Sequence, residues 1–330
     1  NVQNTGNDRV YMSCLKDANP PASTITLEVV DQAQWNSTLN AAKLKKGETL
    51  QVKVTVKDTA GNPMPGMPFT LKRGDGYTRN NERHVAGSDN IVSPVVVDAG
   101  MSDEASLNDS STAYAVLTDA DGSKILTITR PDTHGTKTAL TAALYSDPTI
   151  NASMDTIFTV PTSPDTDKAK MWGHMPETLT AGGLTFKRPL LFAELAVTKK
   201  RKSQDEENET WALFTVAQAA DASNNGCGAE YIPTQDALVT LSSSWQGHAI
   251  DGWPVQKTYD SSTPDKNSIN DRKYMSVDIS KGTSKSLASA DLGYLTCQTT
   301  ANPPVNSIEL TSTQTAKYDN VDAVKVRTDY

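Results

Sequence analysis

The chain has 330 residues, a hydrophobic fraction of 37% and a formal net charge of −8. An acidic surface repels phosphate backbones, which argues against nucleic acid as a partner, and the sequence has no run of 18 apolar residues that would cross a membrane as a helix. Abundant Ser, Thr, Asn and Asp are typical of short strands joined by polar turns. The length and composition predict an all-β protein with two main domains.

Residues 22–161 are predicted to form the first domain. At 50–56 the sequence LQVKVTV alternates strictly between apolar and polar residues, as a half-buried strand does. A turn rich in Asp, Gly, Asn and Pro follows at 58–63, and a hairpin turn ends at Gly122, where a left-handed residue is needed. About seven short strands with such turns between them predict an Ig-like β-sandwich.

The residues after this domain change in composition. Pro161, Pro164 and the polar residues between them predict a linker, and four of the five tryptophans follow it. Residues 162–302 are predicted to form a second, mostly-β domain, an Ig-like variant with a lectin-like fold as the alternative. Its predicted strands are 190–198, 210–217, 238–241, 273–279 and 293–297, with a short helix near 216–222 or 230–238.

A repeat divides the chain further. Residues 11–27 (YMSCLKDANPPASTITL) match residues 294–310 (YLTCQTTANPPVNSIEL) without a gap at an offset of 283 residues, with eight of 17 positions identical. A repeat of so long a period indicates multi-domain units that follow one another along a larger chain. We therefore expect residues 1–21 to be the last strand and linker of a preceding unit, and residues 303–330 to begin a following domain or to form terminal strands.

The three cysteines are Cys14, Cys227 and Cys297. The last two enclose a 70-residue loop within the second domain, and a disulfide between them would stabilise the fold by about 4 kcal/mol on the chain-entropy model. By the repeat, Cys14 is the counterpart of Cys297, and its own partner would lie upstream of residue 1. Such pairing implies an oxidising compartment; the alternative is that all three are buried thiols.

The segment LKKGETLQVKVTVKDTAGNPMPGMPFTL at 44–71 resembles the bacterial Ig-like domains of the intimin/invasin family. The turn KDTAGNPMPG at 57–66 carries that resemblance, and TDADG at 118–122 matches a second marker of the family. The resemblance implies a rigid Ig-like spacer domain over about residues 22–160.

The second domain resembles the adhesion domain of related inverse-autotransporter proteins of enterobacteria. The matching segments are MWGHMPET at 171–178, FKRPLL at 186–191, WALF at 211–214 and the Gly226-Cys227…Cys297 frame. This resemblance implies a non-enzymatic adhesin on the bacterial cell surface, the extracellular passenger of an outer-membrane protein whose membrane β-barrel lies outside this sequence. Its partner would be a host cell-surface or secreted protein or glycan, and the chain would be monomeric.

The candidate ligand contacts lie in the second domain. Trp245, Trp253 and Tyr259 stand in loop-like sequence near Gly and Pro, and exposed aromatic residues dominate binding hot spots, although tryptophans are also needed for a core. The basic run Lys199, Lys200, Arg201 and Lys202 is either a contact loop in a binding rim or a solvated hairpin tip whose charges are balanced by the acidic residues that follow.

No catalytic, cofactor-binding or metal-binding residue is predicted. The four histidines are scattered without zinc spacing, and no nucleotide-binding or nucleophile-elbow motif is present. An aspartate pair at 165 and 167 suggests calcium only weakly, because no distal glutamate follows. The rival functions are a structural stalk without a ligand and a surface glycan hydrolase, which would need a pair of carboxylates in a cleft.

Overall fold

The computed structural model describes residues 21–84, 95–98, 104–107, 113–129, 134–196, 201–267, 273–288, 290–303, 310–318 and 321–328. The chain divides into two compact units, Asn1–His174 and Met175–Tyr330. Cys14 and most of the first repeat segment lie outside the described residues, as do Lys199 and Lys200. The expected boundaries at 21, 161 and 302 stay predictions.

The first unit is built from strands. In chain order they are β1 (Ala22–Val29), β2 (Trp35–Asn36), β3 (Ala41–Lys45), β4 (Leu50–Asp58), β5 (Pro68–Tyr77), β6 (Arg83–His84), β7 (Val95–Asp98), β8 (Glu104–Leu107), β9 (Ala113–Leu117), β10 (Ser123–Thr129), β11 (Thr136–Leu144), β12 (Asn151–Pro164) and β13 (Gly173–Met175).

These strands form the two sheets of a sandwich, which confirms the predicted Ig-like architecture. One sheet has the order β1-β4-β10-β7-β8, and the other has the order β2-β3-β12-β11-β5-β6, with β9 beside β5 and β13 beside β12. The pairings in the first sheet are antiparallel, whereas β3 runs parallel to β12. The inward-facing residues of β4, which are Leu50, Val52, Val54 and Val56, are fully buried. They pack with Phe69, Leu71, Leu126 and Leu140 in one core.

Residues 161–164, expected to belong to a linker, are instead the end of β12. The backbone N–H of Val160 donates to the carbonyl of Trp172 (3.1 Å), and the hydroxyl of Ser163 donates to the carbonyl of Met171 (3.2 Å). The chain that turns back after Pro164 thus supplies these bonding partners. Pro161 and Pro164 lie beyond the part of β12 that pairs with β3 and β11, where a missing backbone N–H interrupts neither of those pairings.

The carboxylate that follows β12 binds two cations rather than standing free for a metal. Asp165 accepts hydrogen bonds from Lys43 Nζ (2.5 Å) and from Arg79 Nη1 (2.6 Å). The Arg79 guanidinium also lies 4.9 Å from the ring centroid of Trp172. The described residues contain no group of three or more His, Cys, Asp or Glu side chains that could hold a metal ion.

The second unit consists of small sheets and short helices. Its elements are β14 (Thr178–Ala181), β15 (Leu184–Lys187), β16 (Lys202–Glu206), β17 (Glu209–Leu213), α1 (Val216–Ala219), α2 (Gln235–Ser244), α3 (His248–Asp251), β18 (Tyr259–Pro264), β19 (Tyr274–Asp278), β20 (Thr283–Leu287), β21 (Leu310–Tyr318) and β22 (Val321–Thr328). None of the described helices is long and apolar enough to cross a membrane.

The strands of the second unit pair as β14-β15, β16-β17, β18-β19-β20 and β21-β22. The all-β prediction is confirmed, but in detail the strands form separate two- and three-stranded sheets rather than the two facing sheets of an Ig-like variant. Residues 238–241, expected as a strand, belong to helix α2, and residues 192–194 within the expected strand 190–198 form a turn of 3₁₀ helix. Helix α2 contacts β18 and β19 and buries Ala237, Leu238 and Leu241.

Candidate functional site

Three aromatic rings form the centre of the second unit. Trp253, Tyr259 and Tyr294 are each 0% exposed, with ring centroids 6.3 Å apart for Trp253 and Tyr259 and 5.5 Å apart for the two tyrosines. The Trp253 indole N–H donates to the carbonyl of Pro176 (3.2 Å), and the Tyr259 hydroxyl donates to that of Pro254 (2.8 Å). Trp253 and Tyr259 are therefore core residues, and the expectation that they contact a partner is wrong because neither reaches the surface.

The buried carboxylate of Glu206 connects this core to the segment at residues 255–256. Glu206, at the end of β16, accepts hydrogen bonds from the hydroxyl of Tyr294 (2.6 Å) and from the backbone N–H groups of Val255 (2.7 Å) and Gln256 (3.1 Å). Burial, followed by the hydrogen bond to Glu206, raises the pKa of Tyr294 above its ordinary value. Glu206 thereby fixes the backbone of residues 255–256, a role that sequence reasoning missed because this residue reads as one of several charges in a hairpin.

The other candidate contacts differ in exposure. Arg201 is half-buried, with its guanidinium 4.9 Å from the ring centroid of Phe214 and Nη2 donating to the carbonyl of Asn224. Lys202 is exposed and Trp245 is half-buried. Of the described candidates, Arg201, Lys202 and Trp245 keep access to solvent, and their role as contacts stays a prediction.

The expected disulfide joins Cys227 and Cys297, whose Cα atoms lie 5.4 Å apart. It packs against an apolar cluster that includes Phe214, Ile232 and Leu295. The bond ties the irregular segment after α1 to the C-terminal part of the unit, where the carbonyl of Cys297 also accepts the backbone N–H of Lys187 (2.9 Å).

A second buried charge lies beside β15. Arg188 Nε donates to both carboxylate oxygens of Glu177 (3.0 Å each), and its Nη1 and Nη2 donate to Glu194 (2.8 and 2.6 Å). Glu194 also accepts the backbone N–H of Leu191 (2.8 Å). This pairing turns the chain sharply at residues 191–194, which explains why no strand continues there.

A cleft of about 570 Å³ opens beside the three-stranded sheet β18-β19-β20. The segment fixed by Glu206 and residues of β19 and β20 line it, together with Leu213 and Leu292. Its charged residues are Lys257, Asp278, Lys281, Lys285 and Asp291. No sequence motif pointed to this cleft, because its lining comes from four separate stretches of the chain.

Comparison with protein-family models gives two matches. Residues 164–298 match the InvE adhesion domain, and residues 47–161 match the bacterial Immunoglobulin-like 21 domain. The structure of the Yersinia pseudotuberculosis adhesin InvE aligns with 84% of this chain and 70% of its own, at 28% identity and a TM-score of 0.66. The chain is an invasin/intimin-type adhesin. Its adhesion domain contains the disulfide, the aromatic core and the lysine-lined cleft.

Other comparisons add little to this assignment. A conjugative transposon lipoprotein from Bacteroides eggerthii aligns with 41% of this chain and 95% of its own, at 13% identity and a TM-score of 0.20. A TM-score this low supports no inference. No curated protein matches the sequence.

Proposed function

We propose that this chain belongs to an adhesin whose second unit binds a host protein while the Ig-like unit acts as a spacer that holds it away from the bacterial surface. The observation that carries the proposal is the adhesion-domain match over residues 164–298, together with the similarity to the adhesin InvE across both domains. In this proposal the chain acts as a monomer, and it is displayed as the extracellular passenger of an outer-membrane protein.

The character of the second unit supports recognition rather than catalysis as its role. Two of its buried polar groups, Glu206 and Arg188, each form several hydrogen bonds with protein partners. Groups held in this way brace surface loops, which is what a rigid contact surface requires. The rival stalk function would need the same rigidity but no selective surface.

Binding to host cells tests the proposal. The complete chain, labelled with a fluorophore, is compared with a version that ends at His174, the last residue of the first compact unit. We expect saturable binding of the complete chain, and only background signal from the shortened one. Equal background from both would favour the stalk, and equal saturable binding would place the contact in the Ig-like unit.

A further inference from the structure

The structure assigns a ligand class to the cleft of the second unit: we propose that it receives an extended acidic segment of a protein partner, which lies along the outer edge of β20 with its carboxylates between Lys257 and Lys285. This inference deepens the proposed function, because it names where and by what chemistry the partner would be bound.

The cleft is lined by three lysines and two aspartates, and two of the lysines form no ion pair with the described residues. Lys281 Nζ is paired with Asp278 at 2.8 Å, and Asp291 accepts the backbone N–H of Ala288 (3.0 Å). Lys257 and Lys285 are exposed and form no ion pair among the described residues. A partner group that complements them must therefore carry negative charge.

The sheet beside the cleft offers a place for an extended chain. In the order β18-β19-β20 the inner strand is β19, and the outer edge of β20 pairs with no strand in the described part of the unit. The free edge of β18 is partly covered, because Tyr259 bridges to Tyr294. An unpaired edge supplies backbone N–H and C=O groups to which a peptide can add as another strand.

Register places the lysine on the side of the sheet that faces the cleft. Lys285 pairs with Ser276, and Thr283 pairs with Asp278, so these side chains share one face of the sheet. Lys285 and Leu287 are two residues apart on β20, and both line the cleft. The cleft face of β20 thus presents a cation and, two residues on, an apolar side chain, which an added strand complements with a carboxylate and an apolar side chain that are also two residues apart.

The lining argues against a glycan. Sugars are commonly bound against aromatic faces, but the residues that line this cleft include no aromatic side chain; its apolar members are Leu213, Val255, Leu287 and Leu292. A cleft of similar volume, about 540 Å³, lies in the first unit, and its charged lining residues are Glu28 and Asp155. An acidic ligand would be repelled there, so the first unit provides an internal contrast.

The experiment uses fluorescence anisotropy to measure the affinity of the complete, oxidised chain for a fluorescein-labelled ten-residue peptide with Glu and Val in turn at every second position and Thr between them, so that Glu and Val share one face of the added strand. The double variant Lys257→Glu/Lys285→Glu should weaken binding at least tenfold, and Lys257→Gln/Lys285→Gln should weaken it less. The matched control is Lys266→Glu, an exposed lysine of the same unit that does not line the cleft; it should leave the affinity unchanged. Circular dichroism and melting temperatures verify that every variant is folded.

Two comparison ligands and one cell assay separate the outcomes. Absence of peptide binding, or equal binding by the double variant, overturns the inference. So does tighter binding of a heparin hexasaccharide or of sialyllactose than of the peptide, with loss in the same variant, because the cleft would then take a glycan. If the variant loses the peptide but the parent chain never binds host cells, the cleft assignment stands and the proposed function fails. If the parent chain binds cells and the variant binds them equally, the inference fails and the proposed function stands.

Discussion

Removing the guanidinium of Arg188 should destabilise the second unit far more than removing its outer partner. The Arg188 side chain is 7% exposed and Glu194 is 14% exposed, whereas Glu177 is 64% exposed. Truncating one partner of a buried ion pair costs about 3–5 kcal/mol, because the other charge stays buried without compensation. A solvent-exposed pair contributes only about 0–1 kcal/mol. We therefore expect a loss of about 3 kcal/mol or more for Arg188→Met, and about 1 kcal/mol or less for Glu177→Gln.

A double variant separates charge from packing. In Arg188→Met/Glu194→Gln no charge remains buried, and the glutamine oxygen can still accept the backbone N–H of Leu191, which Glu194 now accepts. We expect the second change to restore about 2 kcal/mol relative to Arg188→Met alone, within the usual range of coupling between contacting residues. Urea denaturation of the oxidised chain measures these differences, and the transition of the first unit serves as the internal control. Equal losses for Arg188→Met and Glu177→Gln would refute the reasoning, and a double variant no better than the single one would assign the loss to packing of the arginine stem.

Further predictions concern protonation, close packing and the disulfide. Burial, reinforced by the charge of Lys45, lowers the pKa of His174 from 6.5 to about 4. Between these two pH values the unfolded chain binds a proton that the folded chain does not, so the free energy of unfolding should be highest above pH 6.5 and should fall as the pH decreases toward 4. An NMR titration that gives a pKa near 6.5 for His174 would contradict this. Burial, followed by repulsion from the charge of Asp291, raises the pKa of Asp260 well above its ordinary value. Because Asn needs no proton to be buried as a neutral group, Asp260→Asn should raise the urea midpoint at pH 7, by an amount that shrinks toward pH 4. An unchanged midpoint at pH 7 would count against this. Gly293→Ala would place a Cβ 2.1 Å from Asp260 Oδ1 and should lower the melting temperature of the second unit, whereas an unchanged value would show that the site relaxes. Reduction of the disulfide should cost about 4 kcal/mol, and mass spectrometry without reductant should find Cys227 linked to Cys297 rather than two free thiols.

The first unit was predictable where apolar and polar residues alternate. Residues 50–56 became β4 with its apolar face buried, because period-two alternation alone specifies a half-buried strand. Turn chemistry was also readable: Asp58 Oδ1 accepts the backbone N–H groups of Ala60 and Asn62 (2.8 Å each), and Gly61 has φ +86°. What the sequence did not reveal is contact between distant turns. An added Cβ on Gly122 would lie 2.6 Å from the backbone nitrogen of Met64, so one turn packs directly on the other.

The second unit was less predictable because its short elements depend on contacts distant in sequence. Residues 238–241 carry apolar side chains at a spacing that fits both a strand and a helix. The residue that indicates a helix is Thr234, the N-cap of α2, whose hydroxyl accepts a hydrogen bond from the backbone N–H of Ala237 (3.2 Å). Trp253 was ambiguous for another reason: flanking Gly and Pro suggest a loop, and loops are usually exposed. Its ring is buried nonetheless, because a unit with few large apolar residues must use its aromatic ones for the core.

The position of Lys257 at the surface of the second unit depends on the buried hydrogen bonds of Glu206. Glu206 accepts hydrogen bonds from the Tyr294 hydroxyl and from the backbone N–H groups of residues 255 and 256, so it links the aromatic core to the wall of the cleft that carries Lys257. An exposed lysine loses side-chain entropy when it binds a partner. If its backbone is already fixed, no additional loss of backbone entropy accompanies binding. Selective binding can therefore arise from lysines with no motif around them, provided that buried groups hold their backbone in place. Changes at Glu206 should then weaken a partner's binding without touching it, whereas changes at Lys257 should act on the contact itself.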